Sequence, residues 1–374
     1  MANTLKFGNG EWYGKKDTIL AYNDENSNYK PLPFNFSRAS KATVVNKDGL
    51  IEEVGSGQPR VDYKDDSKGA LLLEPSRSNI LNYSEDFSNA YWNTNSNVLR
   101  SLSSNLSPDG TNNAYRVEAI SGTQVGYVGT TTIGTTITHS IWVRRISGST
   151  TFNMVDVNNN NTSVNITSDW QRFSVTSTAT STNLRTYFRT NSLGDIVEIY
   201  GAQVEEGSYA TSYIPTSGSA VTRLGEQGID CGAGAPIFSN TSAVWFIDLE
   251  RIGIDTDSSG SGIALRNSSF SQQIRLHFDQ PSTNIRFRDG VNGYATISTI
   301  TGANTNVRKK LALRIDGSTL STFSNGSKIG SDYTAPNSFN IDEVDFSSIG
   351  FKIHDMRFYN TALTDQELIA LTQV

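Results

Sequence analysis

The stretch Ser140-Ile141-Trp142-Val143-Arg144 decides how the rest of the chain is read. Ile141 and Val143 fall on one side of an extended backbone, and Ser140, Trp142 and Arg144 fall on the other. That is the pattern of a strand with one face buried. Trp170-Gln171-Arg172-Phe173-Ser174-Val175, Leu184 to Arg189 and Ile196 to Val204 repeat the alternation. Between these runs sit Pro108-Asp109-Gly110, Ser147-Gly148 and the stretch Asn158 to Asn161, all of them turn chemistry. Short strands at this spacing, with no helical stretch between them, predict a sandwich and not a doubly wound sheet.

Composition agrees with that reading. Of 374 residues, 36% are hydrophobic and only 18% charged, so Asn, Ser, Thr and 31 Gly supply much of the remainder. Asn, Ser and Gly form helices poorly and turns well. The formal net charge of −6 and the lack of any Lys/Arg cluster argue against nucleic acid as a partner. No apolar run approaches the roughly 18 residues of a membrane span, and Met1 to Gly10 lacks the charged-then-apolar pattern of a leader, so neither membrane insertion nor secretion is expected. Cys231 stands alone and reads as a small buried residue; His139, His277 and His354 lie too far apart in sequence to suggest a zinc site.

The length predicts two or three domains. Residues 1–78 read as an extended N-terminal arm with short β-hairpins. One hairpin runs Thr43-Val44-Val45, Asn46 to Gly49, Leu50-Ile51-Glu52; a strand, Ala70 to Leu73, stops at Glu74-Pro75. Residues 79–224 form the first all-β module. The Gly- and Ala-rich stretch Gly225 to Pro236 opens a second, 225–374, which begins with Ala243 to Leu249. It continues through Leu311 to Ile315, Asp316-Gly317, Thr319 to Phe323 and Asn325-Gly326 as a meander. One helix is predicted, at the end, where Thr364-Asp365-Gln366-Glu367 makes a capping box and Leu363, Leu368 and Leu371 an apolar stripe.

Three stretches carry a resemblance to known families. Phe36-Ser37-Arg38-Ala39-Ser40, Asp48-Gly49-Leu50-Ile51-Glu52, Pro59 to Tyr63 and Leu71 to Arg77 resemble a segment common in phage tail and fibre proteins. Asn82-Tyr83-Ser84-Glu85-Asp86-Phe87 with Trp92, then Tyr200 to Gly207 and Thr211 to Thr216, resemble the jelly-roll carbohydrate-binding modules of such proteins. Ile349-Gly350-Phe351 through Met356 to Thr364 looks like the closing strand and helix of laminin-G or concanavalin A-like domains. The resemblance implies a virion protein of a fibre, tail or head appendage, assembled in a bacterial cytoplasm. It also implies a homo-oligomer, with a trimer favoured. Attachment to other virion proteins through the N-terminal arm is an expectation from the arm's position alone.

Binding is expected where aromatic faces meet polar groups on an outward side of a strand. Trp142 with Arg144, and Tyr187 with Arg189, are the candidates for holding host surface polysaccharide, and the resemblance adds Gln203. The same resemblance implies a structural calcium ion, with Glu85 and Glu205 as its candidate ligands. In the second module Arg286 and Arg288 alternate around Phe287 with Tyr294 across the likely turn, which reads as a solvated edge. Asp255 to Gly260 begins like a calcium loop, but position twelve is Arg266 instead of a bidentate glutamate.

Catalysis is not expected. A glucanase of concanavalin A-like fold spaces its carboxylates as Glu-x-Asp-x-x-Glu; Glu343 and Asp345 start that pattern, and residue 348 is serine. The alternatives to a glycan-binding appendage are a purely structural appendage or decoration protein and, less favoured, a polysaccharide depolymerase.

Overall fold

The computed structural model describes residues 4–15, 18–23, 28–30, 35–94, 97–231, 239–253, 262–278, 284–290, 295–302, 306–346 and 349–374. The protein is all-β, with antiparallel sheets and one short helix near its C-terminus. The chain divides into two compact units, and neither is continuous in sequence. One comprises Ala42–Glu53 and Ser76–Arg223; the other comprises Met1–Lys41, Val54–Pro75 and Leu224–Val374. The first is therefore inserted within the second.

The inserted unit is a sandwich of two five-stranded sheets. One sheet runs Val98–Leu102, Tyr115–Ala119, Ile196–Glu206, Thr136–Ser147, Gln171–Thr178; the other runs Asn93–Thr94, Gln124–Thr130, Asn183–Thr190, Thr151–Val155, Asn161–Asn165. Ile137, Ile141, Val143, Val197 and Ile199 from the first sheet share a core with Val125, Phe152, Met154, Leu184 and Phe188 from the second. Each such side chain, fully buried, contributes about 1.5–3 kcal/mol. The alternation seen at Ser140 to Arg144 is kept, with a bulge: the pairing with Ile196–Glu206 slips between Ser140 and Trp142, where Gly201 takes φ +61°.

Phe87 and Trp92 close one end of this core with centroids 4.8 Å apart, and Trp92 Nε1 donates to Tyr83 O at 3.1 Å. His139 also points inward. Its Nδ1 lies 3.1 Å from Val155 O, and its Nε2 has no hydrogen-bond partner. Burial pushes its pKa down to about 4.

The second unit packs a larger sheet against a seven-stranded one. Along the larger sheet lie Tyr13–Lys15, Thr18–Asn23, Thr4–Gly8, Phe351–Tyr359, Ser242–Arg251, Arg308–Asp316, Thr319–Ser324 and Ser327–Thr334. Gln227–Cys231, Glu343–Phe346, Ile263–Arg266 and Gln273–Phe278 are consecutive in the smaller one. The shared core includes Trp245, Ile247, Leu265, Leu276, Phe351 and Phe358, and Cys231 is buried within it. Asp365–Leu371 forms the expected helix. The Thr364 capping box is present, and Leu368 packs on Val244, Phe246, Ala312 and Phe323.

The N-terminal residues do not form a separate arm. Thr4–Gly8 pairs antiparallel with Phe351–Tyr359, and Phe7 meets Phe358 edge to face at 6.4 Å in the core. Ala70–Leu73 pairs with the same strand from Phe351 to Ile353, burying Leu71 and Leu73. The expected boundaries at 78 and 224 therefore divide the chain differently from its compact units. The reason is that the partner strand of Thr4–Gly8 lies some 350 positions later, and no local periodicity reports so distant a pairing.

A buried ionic knot holds the segments of this unit on either side of the insertion. Arg60 donates from Nε to Glu226 Oε1 at 2.6 Å and from Nη2 to Glu74 Oε2 at 2.8 Å. Arg38 Nη1 reaches Glu226 Oε1 at 2.7 Å, and the Glu74 amide donates to Glu226 Oε2 at 2.9 Å. Two cations and two anions balance, and all four side chains are buried. Removing one member strands the others without solvent, so Glu226→Ala is expected to cost about 3–5 kcal/mol. Arg60→Ala should cost a similar amount, and the double variant clearly less than both together, as read by urea denaturation of the three variants.

His139 gives the inserted unit an acid sensitivity. Its unfolded pKa is about 6.5, above the folded value of about 4, so on acidification the unfolded chain takes the proton first. The His139 contribution is thus neutral above pH about 6.5 and destabilises progressively down to about 4, by up to roughly 3 kcal/mol. Denaturation midpoints measured across that range should fall for the natural chain and flatten in His139→Leu.

Candidate functional site

Strand Asn183–Thr190 buries alternate residues. Leu184, Thr186, Phe188 and Thr190 face the core, which turns Arg185, Tyr187 and Arg189 onto the outer face of their sheet. Tyr187 pairs across the ladder with Gly126 on one side and Val155 on the other. Its ring lies over Gly126 so closely that a β-carbon there would sit 2.0 Å from Tyr187 Cδ1. Glycine is what allows the aromatic ring to lie down on the sheet.

Beside the ring runs a polar row one step along the strands. Gln124, Arg189, Asn153 and Ser163 are neighbours in register. Arg189 Nε donates to Gln124 Oε1 at 2.8 Å, and Ser163 Oγ donates to Asn153 Oδ1 at 2.5 Å. Asn153 Nδ2 reaches Asn191 Oδ1 at 3.5 Å. The Arg189 guanidinium carbon stands 5.5 Å from the Tyr187 ring centroid, a cation–π distance. An aromatic surface bordered by fixed amides and a guanidinium suits a polyhydroxylated ligand, which needs an apolar contact and several directed hydrogen bonds.

Trp142 and Arg144 have a different fate. They lie on the other sheet, so the two expected pairs do not share a face. Gly201 lies against the indole: a β-carbon there would come within 3.0 Å of its Cε3. Arg172 sits 4.3 Å over the ring, and Tyr200 and Tyr213 pack at 5.9 and 5.4 Å. The indole is thus a packing element, held between Arg172 and the two tyrosines. Arg144 pairs with Glu198 at 2.5 Å and lies 4.8 Å over Trp170, so its charge is matched internally.

Gln203 is likewise structural. It accepts from Ile214 N at 2.7 Å and donates to Glu205 Oε1 at 3.0 Å. Glu205 accepts from Thr211 N and Thr211 Oγ1, both at 2.7 Å. These two buried side chains fasten the segment Thr211 to Thr216, whose Ile214 carbonyl accepts from Asn79 Nδ2 at 2.9 Å. Burial pushes the Glu205 carboxyl up.

Glu85 accepts from the hydroxyls of Tyr213 at 2.9 Å and Tyr200 at 3.3 Å and from Asn113 Nδ2 at 3.2 Å. Burial, with the neighbouring Asp109 charge, raises its pKa. Both calcium candidates therefore spend their oxygens on protein donors. Among the described residues no three His, Cys, Asp or Glu side chains converge as a group able to hold a metal ion. The calcium-like loop at Asp255 to Gly260 and Tyr294 lie outside the described residues.

In the other unit, Glu343 and Asp345 project from one side of their strand, as the glucanase-like spacing requires. Arg266, in register with Glu343 on the adjacent strand, pairs with both carboxylates and with Asp230. Arg286 and Arg288 alternate with Phe287, which is buried in the core.

No protein-family model and no curated protein sequence matches the chain. Among solved structures, the CBM22-1 xylan-binding domain of Paenibacillus barcinonensis Xyn10C is 11% identical, covering 36% of this chain and 94% of its own, with a TM-score of 0.26. Domain 4 of AbnA, an extracellular arabinanase of Geobacillus stearothermophilus, is 16% identical over 44% of this chain and 82% of its own, with a TM-score of 0.30. Trypanosoma rangeli sialidase is 10% identical over 95% of this chain, with a TM-score of 0.31. The chain spans 65% of that sialidase, less than two thirds of its length.

Sequence reasoning singled out Tyr187 and Arg189 and passed over the residues that surround them: Gly126, Gln124, Asn153 and Ser163. The available signal was Gly126 itself, a glycine inside the apolar run Val125-Gly126-Tyr127-Val128, where a close approach of another group is the usual reason. Gly126→Ala places a methyl against both the Tyr187 ring and Thr186 O, the latter 2.5 Å away. It should lower stability by about 1–3 kcal/mol and alter the near-ultraviolet circular dichroism of the tyrosines; an unchanged spectrum would contradict the placement of the ring.

Proposed function

We propose that the chain is a non-enzymatic appendage protein of a phage particle that holds host-cell-surface glycan on the outer face carrying Tyr187. One observation carries the glycan reading: an aromatic ring laid on a glycine of the sheet, beside the in-register row Gln124, Arg189, Asn153 and Ser163, hydrogen-bonded as the pairs Arg189–Gln124 and Ser163–Asn153. The virion assignment is supported by the resemblance of the segments from Phe36 to Arg77 to phage tail and fibre proteins. The non-catalytic reading is supported by Arg266, which engages both carboxylates of the incomplete glucanase pattern. Contact through one tyrosine and a few amides is weak, and several copies on one particle would supply avidity.

The two aromatic pairs give the test its contrast. Tyr187→Ala should lower affinity for retained glycan by at least tenfold, the loss expected when a ring contact worth about 1.5 kcal/mol is removed. Trp142→Ala should destabilise the inserted unit by about 3–5 kcal/mol while the folded fraction binds normally. Glycan-array binding with denaturation curves on both variants separates these effects; the reverse pattern would move the site to the other sheet.

A further inference from the structure

We infer that the saccharide held on the Tyr187 face is anionic, carrying carboxylate, sulfate or phosphate groups along its chain. The inference rests on the glycan reading above and adds the charge of the ligand. The five strands of this sheet contain no Asp or Glu, and their only charged residues are Arg185 and Arg189. The opposite sheet is mixed, with Glu118, Glu198, Glu205 and Glu206 beside Arg100, Arg116, Arg144, Arg145 and Arg172, and the whole chain has 37 acidic residues against 31 basic ones. A basic face within an acidic protein selects against neutral and cationic partners by charge alone.

The two arginines are also placed for use. Each lies two residues from Tyr187 on the same strand face, about 7 Å away along the strand in opposite directions. Arg185 has no hydrogen-bond or ion-pair partner among the described residues, and it stands opposite Val128 in the ladder. Arg189 spends Nε on Gln124, which fixes the plane of the guanidinium and leaves its two terminal nitrogens to donate outward. That fork matches the two oxygens of a carboxylate or the oxygens of a sulfate or phosphate.

The carboxylates of the flanking loops are oriented by their own turns. Asp156 accepts from the amides of Asn158 and Asn160, and Asp195 from those of Ser149 and Ser192. Each is committed to its own turn.

The test is a glycan array bearing neutral, uronic-acid, sialic-acid, sulfated and phosphorylated saccharides, probed with the labelled full chain. Retained glycans should all bear acidic groups, and which of the acids is retained identifies the source of the charge. Binding should weaken sharply between about 0.1 M and 1 M sodium chloride, over which the screening length shrinks from about 10 Å to about 3 Å. Arg185→Gln and Arg189→Gln should each lose about tenfold, as expected of one charge-assisted contact. Arg185→Lys should retain most of the affinity, with circular dichroism confirming that every variant folds. Salt-insensitive retention of neutral glycans, unaltered by both glutamine variants, would overturn the anionic assignment and leave the glycan reading intact. Retention of no glycan of any class would instead remove the glycan reading, and this inference with it.

Discussion

The outer face of the Tyr187 sheet exists because its strands have a core to bury. Leu184, Thr186, Phe188 and Thr190 are nearly inaccessible, and a strand that commits every second side chain inward has no freedom over the others. A slip of one residue would expose Leu184 and Phe188 and bury two arginines. The apolar loss of two such side chains would then add to the cost of placing two charges among Val125, Phe152 and Met154. The register of one strand thereby fixes which groups a ligand can meet, and the ladder to Gln124–Thr130 and Thr151–Val155 fixes their neighbours.

Much of this could be read from the sequence, because the information is local. Alternation of Ile141 and Val143 with Trp142 and Arg144 follows from a period of two. The Thr364 capping box needs only four consecutive residues, and both of its reciprocal bonds form. Whatever depends on distant pairing was hidden. Thr4–Gly8 finds its partner at Phe351–Tyr359, and Glu226 finds Arg38 and Arg60 across the whole inserted unit. Nothing in the immediate surroundings of Glu226 marks it as the acid that two buried arginines require.

The residues that resemble carbohydrate-binding modules turn out to build the fold. Gln203 holds the returning segment at Ile214, Glu205 holds Thr211, and Trp92 caps the core through Tyr83. Each satisfies buried polar groups that would otherwise cost about 1–3 kcal/mol. Tyr187 and Arg189 lie outside that group, on strand Asn183–Thr190, where packing constrains the inward residues.

Trp142 and Tyr187 occupy equivalent positions in the sequence pattern, each an aromatic two residues from an arginine on the outward side of a strand. Both rings rest on a glycine, Gly201 in one case and Gly126 in the other. The difference lies in what comes over the top. Above Trp142 the chain returns: Arg172 stacks on the indole, its Nη1 donates to Thr211 O at 2.6 Å, and Tyr213 packs against the ring edge. Tyr187 is half-buried, and Arg189 stands beside its ring, tethered from the side by Gln124. A glycine beneath a ring thus allows an aromatic to lie flat in either setting, and the path of the chain decides whether that surface becomes core or remains for a partner.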